Sequence, residues 1–194
     1  MRSRIAAALS LMILLGGCAA RTGELPANAV RIGPSTAIVM PAPADLDRSI
    51  EAAQLATARY GDQTFVFETR ISVTPDMFRL VSVDTLGRRT MSIAWTGGGV
   101  YYEAASWVPE QLRPENVLAD IVLLYWPEET VRHALVGGTL QVAPGRRTVV
   151  ADGKDIIRAE FHPARAGDPW TGTLHYENVA WGYVLDIQSQ EGGQ

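Results

Sequence analysis

The chain has 194 residues, a formal net charge of −4, 47% hydrophobic and 20% charged residues, and one cysteine. An acidic balance disfavours nucleic acid and anionic headgroups as partners, since both ask for a basic surface. A single cysteine excludes an internal disulfide framework, so stability must come from packing. The chain opens with Arg2 and Arg4, then an apolar run from Ile5 to Leu15, then Gly16, Gly17 and the lone Cys18. As a helix that run rises about 16 Å, against about 30 Å for a bilayer core, so it does not span. Small side chains before the cysteine mark residues 1–17 as a lipoprotein signal peptide, cleaved between Gly17 and Cys18, with Cys18 lipidated. Palmitate-type chains contribute about 0.8 kcal/mol per buried methylene, so two or three form an effectively permanent membrane anchor. Removal of the signal leaves 177 residues with 15 basic and 21 acidic side chains, enough for one domain.

Residues 18–45 hold Pro26, Pro34, Pro41 and Pro43 among alanines and glycines, and read as a tether. An arm docked through Ile38, Val39 and Met40 is the alternative. Asp45 to Ala53 reads either as a short helix capped by Asp45 or as an extended lead into the first strand. The domain is expected over residues 46–190, with 191–194 as a disordered tail.

Strands then dominate. Phe65, Phe67, Ile71 and Val73 take alternate positions, and Met77 to Asp84 continues after the Thr74-Pro75-Asp76 turn. Met91, Ile93 and Trp95 alternate before Gly97-Gly98-Gly99, and Val100 to Glu103 returns. Pro114 opens a helix in which Val117, Leu118, Ile121, Leu124 and Tyr125 follow three-four spacing to Trp126. Pro127 ends it and starts a second, Glu128 to Leu135, which Gly137-Gly138 stops. Strands resume at Thr139 to Val142 and Arg147 to Val150; Asp152-Gly153 signals a tight hairpin into Ile156 to Phe161. Thr173 to Glu177 and Tyr183 to Ile187 complete the series. The fold class is therefore α+β: a single curled antiparallel sheet of about eight to eleven strands, closed by a central helical segment with a pocket beneath it.

Catalytic signatures are absent. No nucleophile elbow, phosphate loop or dinucleotide fingerprint occurs, and His133, His162 and His175 lack metal spacing. No enzyme activity, metal or cofactor is expected. Asp120 lies among core-like neighbours; a buried carboxylate is one reading, but the rarity of buried Asp favours the solvent edge or a cap on a neighbouring loop. Arg146 and Arg147 read as a charged hairpin end, and the five tryptophans as packing.

Two stretches carry a resemblance. Leu80-Val81-Ser82-Val83-Asp84-Thr85-Leu86-Gly87-Arg88-Arg89 resembles the strand, turn and strand of the LolA/LolB superfamily of periplasmic lipoprotein carriers and acceptors. Leu118-Ala119-Asp120, an apolar run and Trp126-Pro127 resemble its central helical segment. They resemble more closely an uncharacterised bacterial lipoprotein family that is LolB-like and often encoded beside aryl-polyene or fatty-acid-like synthesis genes. The likeness covers roughly Gln54 to Gln188. It implies a half-barrel whose concave face takes acyl chains, and it matches Leu86 to a solvent-projecting leucine that helps place cargo in the membrane. The proline that precedes that leucine in LolB is missing here. Ala19 after the cysteine, in place of Asp, resembles the enteric signal for the outer membrane, on its periplasmic face.

Strand alternation and helix spacing select Phe65, Phe67, Ile71, Val81, Met91, Ile93, Trp95, Leu118, Ile121 and Leu124 as groove-lining, lipid-binding candidates, with plain core packing as the other role of each. Leu86 is the candidate membrane or cargo loop, with a hairpin leucine folded back onto the sheet as the other reading. The expected function is local acceptance or insertion of lipoproteins or polyene-like lipids by a monomer. Its expected partners are the membrane through its anchor, a lipid or acyl-chain ligand and a periplasmic carrier protein. A structural envelope lipoprotein with a side-chain-filled core, recruiting a protein partner, is the alternative.

Overall fold

Alternating side chains become a sheet in a computed structural model of the protein, which describes residues 25–192. The signal, the Gly17–Cys18 junction and the last two residues lie outside the described residues. The strands are β1 (Ala29–Arg31), β2 (Ala37–Val39), β3 (Ile50–Tyr60), β4 (Gln63–Thr74), β5 (Met77–Asp84), β6 (Arg89–Thr96) and β7 (Gly99–Ala104). After the helices α1 (Pro114–Tyr125) and α2 (Glu128–Ala134) come β8 (Leu135–Val136), β9 (Thr139–Ala143), β10 (Arg146–Ala151), β11 (Lys154–His162), β12 (Gly172–Asn178) and β13 (Tyr183–Glu191).

Ten strands form one antiparallel sheet in the order β7-β6-β5-β4-β3-β13-β12-β11-β10-β9. It consists of two five-stranded meanders joined where β3 pairs β13, from Ala52↔Glu191 to Tyr60↔Tyr183. Edges β7 and β9 do not pair, so the sheet curls without closing, and α1 and α2 cross between them. Asp152 and Gly153 both take positive φ, 51° and 73°, as the primed two-residue turn between β10 and β11 requires.

Helix α1 fits the concavity because it is apolar nearly all round: every residue from Leu118 to Tyr125 is buried. Pro114 supplies a first-turn residue that needs no N–H partner, and extended Pro127 breaks the path before α2. Arg147 on β10 donates to the carbonyls of Leu123 and Trp126 at 2.8 and 2.9 Å, satisfying the C-terminal end of α1. Far from being a hairpin-end charge, it is half-buried. Trp126 is fully buried against Trp95, with centroids 5.9 Å apart, and Tyr125 stacks on Trp170 at 4.1 Å.

The tether reading needs correction. From Ala29 the arm is ordered: β1, β2 and β8 form a separate three-stranded sheet, and Ile32, Ile38 and Met40 are buried. The apolar side chains recover what the prolines cost. Gly137 makes the contact, since its φ is +75° and a Cβ there would sit 2.2 Å from the carbonyl oxygen of Ser35. Pro43–Leu46 forms one 3-10 turn, capped by Asp45 accepting from the Ala42 N–H at 2.7 Å, and Ile50 starts β3. The helix from Asp45 to Ala53, with Asp45 as its cap, is therefore not formed: the turn ends at Leu46 with Asp45 inside it, and the extended alternative holds from Ile50.

Candidate functional site: a cavity between the sheet and α1

On β3 the inward positions are Ala52, Gln54, Ala56 and Ala58. Ala56 and Ala58 are too short to meet Ile121 and Leu124 of α1, and a cavity of about 70 Å³ remains. Phe67, Leu80, Met91 and Ile187 supply its walls, and Leu112 and Val117 close it on the side of the segment leading into α1. On the same measure a water needs about 10–15 Å³, so there is room for roughly six heavy atoms. A sixteen-carbon chain exceeds that space.

A polar row crosses the floor. Ser189, Gln54, Thr69 and Ser82 stand in direct register on β13, β3, β4 and β5, and all four are buried. Gln54 Nε2 donates to Tyr125 Oη at 2.9 Å and to Ser189 Oγ at 3.0 Å, and Thr69 Oγ1 donates to Ser82 Oγ at 3.2 Å. Burial pushes the Tyr125 phenol up to about 12, against the lowering effect of its hydrogen bonds to Ser189 and Gln54.

Asp120 also lines the cavity. The solvent-edge expectation is overturned: its exposure is 4%, and it faces β12 and β13. Tyr176 donates to its Oδ1 and Tyr183 to its Oδ2 at 2.5 Å, while Asn178 Nδ2 donates to Tyr183 Oη at 3.4 Å. Burial raises the carboxyl to about 7, with the two tyrosine hydrogen bonds pulling the other way. Both phenols are held well above their ordinary value, by burial first and then by the Asp120 charge. The arrangement pairs both oxygens of the buried Asp120 carboxyl with buried phenols.

Among the expected groove residues, Phe67, Met91, Ile121 and Leu124 line this cavity. Ile71 and Ile93 are buried elsewhere in the core, and Phe65 is half-buried, stacked on Phe67 at 6.1 Å. Trp95 and Leu118 line a second, roomier cleft of about 490 Å³ beneath the N-terminal arm, with Met40 and Tyr102. Val81 is a correction: it is 37% exposed on the convex face, paired with Arg70, because Phe78, Leu80 and Ser82 take the inward positions of β5. Arg79, two residues earlier on the same face, was the sign that this phase points outward. Leu86 stands 75% exposed at the tip of the β5–β6 hairpin. Its loop is held by Asp84 Oδ1, which accepts from the N–H groups of Leu86 and Arg88, each at 2.9 Å. Nearby, the Arg88 guanidinium lies 5.8 Å over the ring of Trp107, itself 41% exposed.

The polar floor escaped the sequence reading, yet Thr69 falls midway between inward Phe67 and Ile71, so alternation alone places it inside. Tyr176 and Tyr183 left no such signal as partners of Asp120, because they lie 56 and 63 residues along the chain.

A family model described as "Protein of unknown function (DUF3261)" matches residues 51–191. No curated protein matches the sequence. Among solved structures the chain is similar to a crystal structure of a DUF1329 family protein from Desulfovibrio piger. The TM-score is 0.41, with 10% identity, over 76% of this chain and 87% of that one.

Proposed function

The chain belongs to the DUF3261 family, whose description assigns no activity, and we propose that it is a lipid-anchored envelope protein that accepts an acyl segment in the cavity beneath α1. In this reading Cys18 carries the anchor on the periplasmic face of the outer membrane, and the sheet serves as a LolB-like half-barrel. The observation that carries it is a largely apolar cavity built by Ala56 and Ala58 at the centre of the sheet, where larger side chains would have filled the space. Alanine there forgoes packing that a core serving stability alone would favour. Burying each methylene contributes about 0.8 kcal/mol, so even a six-carbon segment is worth several kcal/mol before ordering costs. A permanently anchored protein cannot shuttle, so it receives or delivers locally. Cargo of lipoprotein or polyene-like lipid kind would come from a periplasmic carrier protein, and Leu86 with Trp107 would meet the bilayer.

A second reading has its own support. The cavity holds roughly six heavy atoms as it stands, which suits a structural envelope lipoprotein with a filled core that recruits a protein partner. Native mass spectrometry of the detergent-extracted protein, together with titration of a fluorescent fatty acid, separates the two. Co-purified lipid or saturable binding is expected for the acceptor. Neither adduct nor binding, with one stoichiometric protein partner in a pull-down, would give the second reading the field.

A further inference from the structure

The cavity is largely apolar, yet its floor carries more polar side chains than an alkyl chain needs. A slot for methylenes is best served by apolar walls, because each buried hydroxyl or amide costs free energy unless it is paired. Here Gln54, Thr69, Ser82 and Asp120 all reach the same cavity. Their mutual hydrogen bonds leave a specific remainder. Thr69 and Ser82 use one hydroxyl hydrogen between them, and the second has no acceptor among the described residues. Gln54 uses its amide nitrogen twice, and its Oε1 accepts from none of the described residues. Within the Gln54, Thr69 and Ser82 set this leaves one acceptor and one donor in register on adjacent strands, Gln54↔Thr69 and Thr69↔Ser82.

We propose that the acyl segment taken up here carries a hydroxyl group, so that the ligand is a hydroxyacyl lipid and not a plain alkyl one. This rests on the acyl-acceptor reading and narrows it to a class of substrate. A hydroxyl donates once and accepts twice, which matches a wall offering Gln54 Oε1 as acceptor and the Thr69–Ser82 pair as donor. A carboxylate, which only accepts hydrogen bonds, has no hydrogen to give Gln54 Oε1 and so matches only half of this wall. The length of the slot is consistent, since roughly six heavy atoms suffice for a hydroxyl and a few methylenes.

The test uses the full-length protein in phosphatidylcholine nanodiscs, with empty nanodiscs as background and dansyl-labelled undecanoate as the bound probe. Dodecanoate, 3-hydroxydodecanoate and 12-hydroxydodecanoate compete for it. At least one hydroxy acid should displace the probe at about tenfold lower concentration than dodecanoate, the worth of one net hydrogen bond in a buried site. In a Thr69→Val/Ser82→Ala double variant, which keeps nearly the same shape, that preference should fall to within about twofold. A far-ultraviolet circular-dichroism spectrum and a cooperative thermal transition matching those of the wild type report that the variant is folded. Equal displacement by all three acids, or an unchanged preference in the variant, overturns the hydroxyl assignment while leaving acyl binding intact. If the probe does not bind the wild type at all, acyl acceptance fails and this inference fails with it.

Discussion

Tyr183 on β13 donates its phenolic hydrogen to Oδ2 of Asp120 on α1 at 2.5 Å, and the bond ties the helix to the last strand of the sheet. With Tyr176 on the other oxygen, Asp120 is the joint between α1 and the C-terminal meander. Removing one donor leaves a buried carboxyl oxygen unpaired. Tyr183→Phe should lower the unfolding free energy by about 1.5–3 kcal/mol, the range for a hydrogen bond to a charged group. Urea denaturation at pH 8 measures it, and an unchanged midpoint would mean that the bond contributes nothing.

The same carboxyl makes stability depend on pH in an unusual direction. Its folded value, raised to about 7 by burial, lies above its ordinary 3.8. The folded state therefore holds the proton more tightly than the unfolded one. The stability this contributes is fully present below about pH 4 and is lost as pH rises through about 7. Asp120→Asn lacks that titration. The wild type's Tm should fall relative to the variant's between pH 4 and 8, and parallel curves would contradict the assignment.

How far the sequence discloses this fold can be argued strand by strand. Met77 to Asp84 is legible with the same bounds as β5, because turn residues flank it on both sides. The alternation read from Tyr183 fades at Ile187, whereas β13 runs on to Glu191. The reason is Ser189, an inward-facing polar residue that breaks the apolar pattern while serving the floor of the cavity. Residues of the site were hidden for the same reason: a polar side chain inside a sheet looks like one outside it until its partners are known. In the arm, proline and glycine content masks three apolar residues, Ile32, Ile38 and Met40, that have a surface to dock on only after the sheet exists.

Two adjacent arginines should behave differently. Arg146 makes an exposed pair with Glu160 at 2.9 Å, with side-chain exposures of 60% and 46%. Arg147 instead serves the carbonyls at the end of α1. Arg146→Ala should change stability by less than about 0.5 kcal/mol. Arg147→Ala should cost about 2 kcal/mol. Equal effects in thermal or chemical denaturation would refute the difference in role.

Gly137 offers a way to loosen the arm selectively. A Cβ 2.2 Å from the Ser35 carbonyl oxygen cannot be accommodated without parting β2 from β8. Gly137→Ala should speed hydrogen exchange and proteolysis within residues 29–40 well before the ten-stranded sheet responds. Uniform loosening of the whole domain would show that arm and sheet unfold together.

Anchor and tip should be separable. Cys18→Ala is expected to move the protein from the membrane fraction to the soluble one with its fold intact, and retention in the membrane would sink the lipoprotein assignment. Leu86→Glu, at a site 75% exposed, should leave Tm within about 1 °C of wild type while reducing vesicle binding of the anchor-free protein. Unaltered vesicle binding would remove the hairpin from the membrane-contact reading.

The pairing of β3 with β13 also governs how the molecule can be made. Synthesis runs from the N-terminus, so the first meander emerges with β3 holding an open, unsatisfied edge. Nothing can cover that edge until the final strand arrives, because its partner is Tyr183–Glu191 at the far end of the chain. Contacts of such sequence separation form slowly. The first meander therefore cannot complete the sheet by itself, and the two halves of the domain close on each other in one late event.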